Sequence, residues 1–337
     1  MDASLGGIYG SSGLFMVKGS ITVTAPNTSS PALKVNDINN IAWTTPCTGA
    51  ANLGNVKIQF RKVNTEAWSD VATVAFNASP YTTWAPPIDG ITNNLKTANI
   101  KITQVTNSEV TDESDGFEVE GKLTLNAPIQ SGLLWTVGAT NKVISWTPIG
   151  TFSPIKIQYS KDNFVANVVD IATVANSASG VQNDWIWLSG IPNDLSDTIK
   201  LRVSHEADSD VLATTTNNIK FVGSLDVTAP ESLGIIWNVG DASKIISWDA
   251  NGTVTNVNIY YRTTFTGGDN TIVLNDPSHL NGGNSYTWTP VGGIPDEKSE
   301  TCYVRVVDSA HPGDVSSISD QTKPFSIRPV ISVTLPA

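Results

Sequence analysis

The stretch Phe117-Glu118-Val119-Glu120-Gly121-Lys122-Leu123-Thr124-Leu125-Asn126-Ala127-Pro128 decides how this chain folds. Apolar residues at 117, 119, 123 and 125 alternate with polar ones, which is the period of a strand with one face in a core. Gly121 breaks the run in the middle, and Ala-Pro ends it. The phrase is repeated along the chain. Phe15, Val17, Gly19, Ile21, Val23, Ala25 and Pro26 form an earlier copy, and Ile219, Phe221, Gly223, Leu225, Val227, Ala229 and Pro230 a later one. Phe325, Ile327, Pro329, Ile331, Val333, Leu335 and Pro336 close the chain with an altered version. Pro26, Pro128, Pro230 and Pro336 are separated by 102, 102 and 106 residues, and an interval of that size is one domain long. The chain is therefore expected to be a tandem array, with each phrase supplying the last strand of one unit and the first strand of the next.

Working outward, each unit carries an apolar-x-Trp strand: Ile41 and Trp43, Ile144 and Trp146, Ile246 and Trp248. Next come Val56, Ile58, Phe60, then Ile155, Ile157, Tyr159, then Val257, Ile259, Tyr261. An aromatic pair follows at Tyr81 and Trp84, Trp185 and Trp187, Tyr286 and Trp288. The next alternating run holds Ile100 and Ile102, then Ile199, Leu201 and Val203, then Cys302, Val304 and Val306. Helical periodicity is hard to find, and Gly, Pro, Asn, Asp and Thr punctuate the chain at roughly 8 to 12 residues. This predicts an all-β fold: three tandem Ig-like β-sandwich domains of about seven strands each. The core Trp lies on the second strand without the cysteine pair of antibody domains, so fibronectin type III is the nearer architecture.

The repeat sets the expected boundaries. Residues 1–19 are a terminal strand or the remnant of a preceding repeat, 20–120 the first Ig-like domain, 121–223 the second and 224–328 the third. Residues 329–337 are the start of a following repeat or a tail. Between consecutive units stand only Gly or Pro and one further residue, so a semi-rigid rod is expected. The runs Leu14 to Val17 and Ile331 to Leu335 read as orphaned end strands of a longer array, which should pack against a neighbouring domain or another copy.

The net charge of −11 over 337 residues argues against nucleic acid and against anionic membrane surfaces. Cys47 and Cys302 occupy unrelated positions in different units, which excludes an intradomain disulfide framework. No apolar run reaches the ~18 residues needed to span a bilayer.

In the second and third units, Pro128, Gly132, Trp135, Gly138 and Trp146 match Pro230, Gly234, Trp237, Gly240 and Trp248. This pattern resembles the Ig-like module of fungal cell-wall glucan-synthesis proteins and Ser/Thr-rich GPI-anchored proteins, which recurs in tandem in bacterial surface-layer-like extracellular proteins. The closing Ser319, Asp320, Phe325 and Ile327 are similar to the end of that module. The first unit departs from it, with Leu33 in place of the first Trp and Asn36 in place of the second Gly. Both changes keep the physics, since Leu stays apolar and Asn tolerates positive φ best among non-glycines. The resemblance implies an extracellular, cell-surface or cell-wall location.

Residues with site chemistry are few, and no catalytic, cofactor-binding or metal residue is assigned from the sequence. His205, His279 and His311 do not recur between units, and no phosphate loop, HExxH, CxxC or Gly-x-Ser-x-Gly element occurs. The chain is expected not to be an enzyme. The acidic runs Glu206, Asp208, Asp210 and Asp112, Glu113, Asp115 read first as solvated loops. A loop before the last strand faces the preceding domain, however, and calcium bridging such loops to a neighbour's carboxylates is the alternative. Trp68 has no counterpart in the other units and is the candidate exposed indole. Asn27, Asn77 and Asn251 begin glycosylation sequons. The expected role is structural: a segment of a surface layer, stalk or extracellular filament whose partners are other copies of itself or neighbouring surface-layer subunits. The alternative is an adhesin or carbohydrate-binding accessory array that meets cell-surface glycan.

Overall fold

The computed structural model describes residues 13–14, 18–46, 53–87, 95–277, 282–311 and 319–331. The first unit contains β1 (Thr22–Ala25), β2 (Leu33–Lys34), β3 (Asn39–Thr44), β4 (Asn55–Arg61), β5 (Ser69–Ala75), β6 (Tyr81–Trp84), β7 (Leu95–Gln104), β8 (Thr111–Glu113) and β9 (Phe117–Glu120). The second contains β10 (Lys122–Ala127), β11 (Leu133–Thr136), β12 (Lys142–Ile149), β13 (Ile155–Ser160), β14 (Val169–Val174), β15 (Asn183–Trp187), β16 (Ser196–His205), β17 (Asp208–Thr214) and β18 (Ile219–Val222). The third contains β19 (Ser224–Ala229), β20 (Ile236–Asn238), β21 (Lys244–Asn251), β22 (Val257–Arg262), β23 (Asn270–Asp276), β24 (Gly282–Trp288), β25 (Ser299–Asp308), β26 (Ser319–Gln321) and β27 (Phe325–Arg328).

One topology is drawn three times. A three-stranded sheet β1-β3-β6 faces a larger sheet β2-β9-β7-β4-β5, with β8 paired to the far end of β7. Adding nine to every strand number gives the second unit, and adding nine again gives the third. These are tandem β-sandwiches of the Ig and fibronectin type III kind.

The sequence explains why the opening strand serves both sheets. The register of β10 on β12 slips between Leu125 and Ala127, and the same slip occurs at Val23/Ala25 and Val227/Ala229. A bulge followed by proline turns the chain out of the small sheet. The chain then crosses and β11 pairs in parallel with β18, as β2 does with β9 and β20 with β27. The crossing ends in a left-handed residue: Gly138 at φ 77°, Gly240 at φ 83° and Asn36 at φ 62°. Asn36 thus adopts the backbone conformation that its glycine counterparts adopt.

Each unit has its own core. Trp43, Trp146 and Trp248 are buried in the centre, where each ring stabilises by about 4–6 kcal/mol on area bookkeeping. The Trp43 indole donates to the Phe76 carbonyl at 2.9 Å and that of Trp146 to Asn176 Oδ1 at 3.1 Å. A second aromatic group fills the other end. In the second unit it is Trp135, Tyr159, Trp187 and Phe221, in the third Trp237, Tyr261, Trp288 and Phe325. Among the described residues, the first unit has Phe60, Trp84 and Phe117 there, with Leu33 packed alongside. Burial of Trp135 and Trp237 places them in the cores and not on a ligand face.

Two strands escape the sequence reading. β5, β14 and β23 extend the large sheet beyond β4, β13 and β22, and the last strand is split into β8 and β9, β17 and β18, or β26 and β27. Half-exposed segments such as Val169–Val174 show no clean alternation, because their outer edge meets solvent. Of the expected end strands, Phe15 to Val17 and Ser332 to Leu335 lie outside the described residues, while Leu14 and Ile331 are exposed.

Candidate functional site: the joints between units

A single glycine separates β9 from β10, and another separates β18 from β19. Neither has space for a side chain. A Cβ on Gly121 would stand 2.3 Å from Phe152 and 2.9 Å from the Ile149 carbonyl oxygen; on Gly223 it would stand 2.6 Å from Val254 and 2.9 Å from the Asn251 carbonyl oxygen. Each joint glycine is crossed by a second, left-handed glycine: Gly150 (φ 102°) over Gly121 and Gly252 (φ 93°) over Gly223. Ile149 of the second unit also packs against the core of the first. The backbone therefore passes from one sandwich to the next with its neighbours in van der Waals contact.

Polar chemistry then differs between the joints. At the first, β9 ends at Glu120, and the β16–β17 hairpin of the second unit reaches back to it. The carboxylates of Glu120, Asp208 and Asp210 lie within 4.8 Å of one another. Glu120 is 2% exposed and Asp208 8%. Lys34 pairs with Glu120 and donates to the Asp210 carbonyl oxygen at 3.1 Å. Burial pushes the Glu120 carboxyl above the usual carboxylate range; Lys34 pulls it down, and Asp208 and Glu118 push it up again. Asp208 Oδ1 accepts the Asp210 N–H at 3.0 Å, while Oδ2 is buried with no hydrogen-bond partner. Lys122 completes the joint by pairing with Asp37 at 2.6 Å.

At the second joint, the residue equivalent to Glu120 is Val222, fully buried. Amide and imidazole groups take over. Asn251 Nδ2 donates to the Val137 carbonyl oxygen at 2.8 Å, Asn193 Nδ2 donates to Thr253 Oγ1 at 2.9 Å, and the Thr253 N–H donates back to Asn193 Oδ1 at 2.9 Å. His311 stands between Asp308 of its own unit and Asp197 of the second, at 2.9 and 2.7 Å. Burial lowers the pKa of this imidazole, but the two carboxylates outweigh it and hold it above its ordinary value.

The structure separates the residues singled out from sequence. Glu206 is exposed and stands outside the carboxylate group, whereas Asp208 and Asp210 belong to it. In the first unit, Asp112 accepts the Val23 N–H at 2.7 Å and Glu113 pairs with Arg61 and Lys101, so these two are spent within their own sandwich, while Asp115 is exposed. Glu120 and Lys34 went unnoticed. The signal was present in the position just before each joint glycine, which reads Lys18, Glu120 and Val222.

Trp68 is half-buried, its ring covered by the Arg61 guanidinium at 4.3 Å and the Lys101 ammonium at 5.3 Å. Elsewhere Phe164 lies under Arg202 at 4.1 Å, and Phe265 meets Tyr303 edge-on at 5.5 Å. A guanidinium on an aromatic face is a local clasp between loop and sheet. His205 is buried against Phe152 at 5.4 Å, with neither ring nitrogen hydrogen-bonded within the protein. Cys302 is buried in the third core, which pushes its thiol pKa up. Cys47 and His279 lie outside the described residues. Asn251, the first residue of a sequon, uses its amide in the second joint. Among the described residues no helix is long and apolar enough to cross a membrane.

No family model matches the chain, and no curated protein does. The likeness to the glucan-synthesis and GPI-anchored module thus rests on the quoted motif residues. Solved structures with some similarity include extracellular domains 3–5 of Drosophila OTK, at 10% identity and TM-score 0.29, covering 91% of this chain and 97% of that one. Domains FN1–FN3 of chicken CNTN1 align at 12% identity and TM-score 0.22, covering 90% and 97%. Immunoglobulin domains 1–4 of Sidekick-1 align at 9% identity and TM-score 0.20, covering 92% and 74%. Scores this low carry no argument about arrangement or function, and the fold assignment stands on strand order and cores.

Proposed function

We propose that this chain is a structural cell-surface protein, a segment of a surface layer, stalk or extracellular filament that acts through protein–protein packing and not through catalysis. The observation that carries this reading is the joint. Two single-glycine connections, each crossed by a second glycine, fix one sandwich on the next and leave little freedom of angle. Three sandwiches set end to end in this way span on the order of 100 Å. Outward apolar side chains supply contact area. Val143 and Ile186 are cross-strand partners on the solvent face of the small sheet of the second unit, and Ile245 holds the position of Val143 in the third.

The glycan-binding alternative needs an aromatic platform. Open grooves beside Tyr81 and Trp84 and beside Trp187 run along the unpaired edges of the first two sandwiches, but Trp68 lines neither. Its ring face is already taken by cations. Small-angle scattering and negative-stain imaging of the full chain test the proposal. A stiff particle about 100 Å long that forms ordered arrays at high concentration, dispersed by Val143→Asp with Ile186→Asp, is the expected outcome. A chain that stays monomeric and is retained on a glycan array would overturn it.

A further inference from the structure

We infer that the joint between the first and second units is a divalent-cation site, with calcium the best match, held by the carboxylates of Glu120, Asp208 and Asp210. The proposal deepens the structural reading above, since it names what stiffens one of the two joints. Three carboxylates from two separate sandwiches converge within 4.8 Å, and two of them are buried. Bringing like charges together out of water is costly unless something of opposite charge is shared among them. Lys34 is one such group, but it is bound to Glu120 and to a backbone oxygen of Asp210. Asp208 Oδ2 is left over: the side chain is more than nine-tenths buried, and this oxygen has no donor. A buried carboxylate oxygen without a donor calls for a partner, and a cation shared with the two neighbouring carboxylates would supply one.

The array contains its own control. Asp210 and Glu109 occupy the same place on their hairpins, each just before a buried valine, Val211 or Val110. At the start of the first unit the residue before the glycine is Lys18, and it pairs directly with Glu109. At the first joint that residue is Glu120, so an attractive pair has become a repulsive group at an otherwise equivalent contact. The positive charge that Lys18 brings to one contact has to come from elsewhere at the other.

Calcium fits the donor set. All three side chains offer hard oxygen, which favours calcium or magnesium over zinc or copper. Calcium accepts six to eight oxygens in irregular geometry, with water completing the shell, whereas magnesium demands a near-ideal octahedron. Ligands divided between a strand end and a hairpin of the next unit suit the more tolerant ion. Bound there, it would tie β9 to the β16–β17 hairpin across the joint.

The test uses the full chain after dialysis against EDTA, with calcium chloride and magnesium chloride as probes in titration calorimetry and thermal melting. One calcium per chain is expected, with a dissociation constant on the order of 10⁻⁴ to 10⁻³ M and a rise in melting temperature of about 5 °C at about 5 mM calcium. Magnesium should bind at least about 10-fold more weakly. Asp208→Asn and Glu120→Gln should each abolish the rise. No calcium-dependent heat or shift in the parent chain would overturn the site, as would a shift of undiminished size in Glu120→Gln. If Asp208→Asn fails to fold by circular dichroism, Glu120→Gln decides alone. Ordered assembly without any calcium response would sink this inference and spare the structural reading. A calcium response in a chain that never assembles would do the opposite.

Discussion

The first and second joints share a backbone and differ in chemistry. Both pass through one glycine, both bury that glycine under a second, and both lie between sandwiches of one strand order. Yet the residue ahead of the glycine is Glu120 in one and Val222 in the other, facing carboxylates in the first and apolar packing in the second. The glycines hold the geometry common to the array, because no side chain fits there. The position ahead of each glycine is buried as well but is not shared, Glu120 at one joint and Val222 at the other, so the polar groups around the two joints can diverge while the glycines stay.

The common part should be the most costly to disturb. Gly121→Ala and Gly223→Ala each force a methyl into a space bounded by backbone carbonyl oxygen and a packed side chain. Overpacking of this kind costs about 1–3 kcal/mol, so each variant should lower the melting transition of the unit that follows its joint by several degrees in scanning calorimetry. Similar losses at both positions would confirm one shared plan. A loss at only one of them would break the comparison at its base.

The divergent part can be exchanged. Glu120→Lys gives the first joint the residue type that Lys18 supplies to the first contact, beside the carboxylates of Asp208 and Asp210. We expect the variant to show no calcium-dependent shift and to melt, without metal, no lower than the parent chain. The gain is under about 1 kcal/mol, since Asp210 is exposed and Lys34 is nearby. A variant that still needs calcium would show that charge at position 120 is not what distinguishes the joints.

How much of this was legible depended on whether repetition or proximity carried the signal. Alternating apolar strands, the recurrent Trp and the glycine phrase are local patterns written three times, so the sandwiches could be read directly and the joints as short, though the structure leaves one glycine where a Gly or Pro with one further residue was expected. Asn36 was legible because a single backbone conformation links it to Gly138 and Gly240. The strands β5, β14 and β23 were not, because half-exposed edge strands lack alternation. The acidic joint was half legible. Asp208 and Asp210 stand out as a run, but Glu120 is 88 residues from Asp208, inside a strand whose other acid, Glu118, looks the same on paper. What tells the two glutamates apart is place: Glu120 ends β9 immediately before the joint glycine, where the hairpin of the next unit brings Asp208 and Asp210. Trp68 departs from its expected exposure because the sheet brings Arg61 and Lys101 over its ring, a contact that spacing along the chain does not display.

The smallest expected effect lies in the second joint and concerns protons. His311 bridges Asp308 and Asp197, and its pKa in the folded chain is raised above the ordinary value of about 6.5. A group with a raised folded pKa contributes stability that is fully present below its unfolded pKa and is lost as pH climbs through the folded one. The bridge should therefore be strongest near pH 6 and fade above neutrality. Asp197 is more than half exposed, which screens the pair and keeps the contribution below about 1 kcal/mol. His311→Gln keeps a polar side chain but cannot carry the charge. Its melting temperature should fall below that of the parent chain by a few degrees at pH 6 and converge with it by about pH 9. The Glu120→Gln difference, measured in calcium, should persist at pH 9, where carboxylates stay ionised. A His311→Gln deficit that is constant across this range would mean the imidazole acts by shape alone, and the two joints would then differ in composition without differing in what they sense.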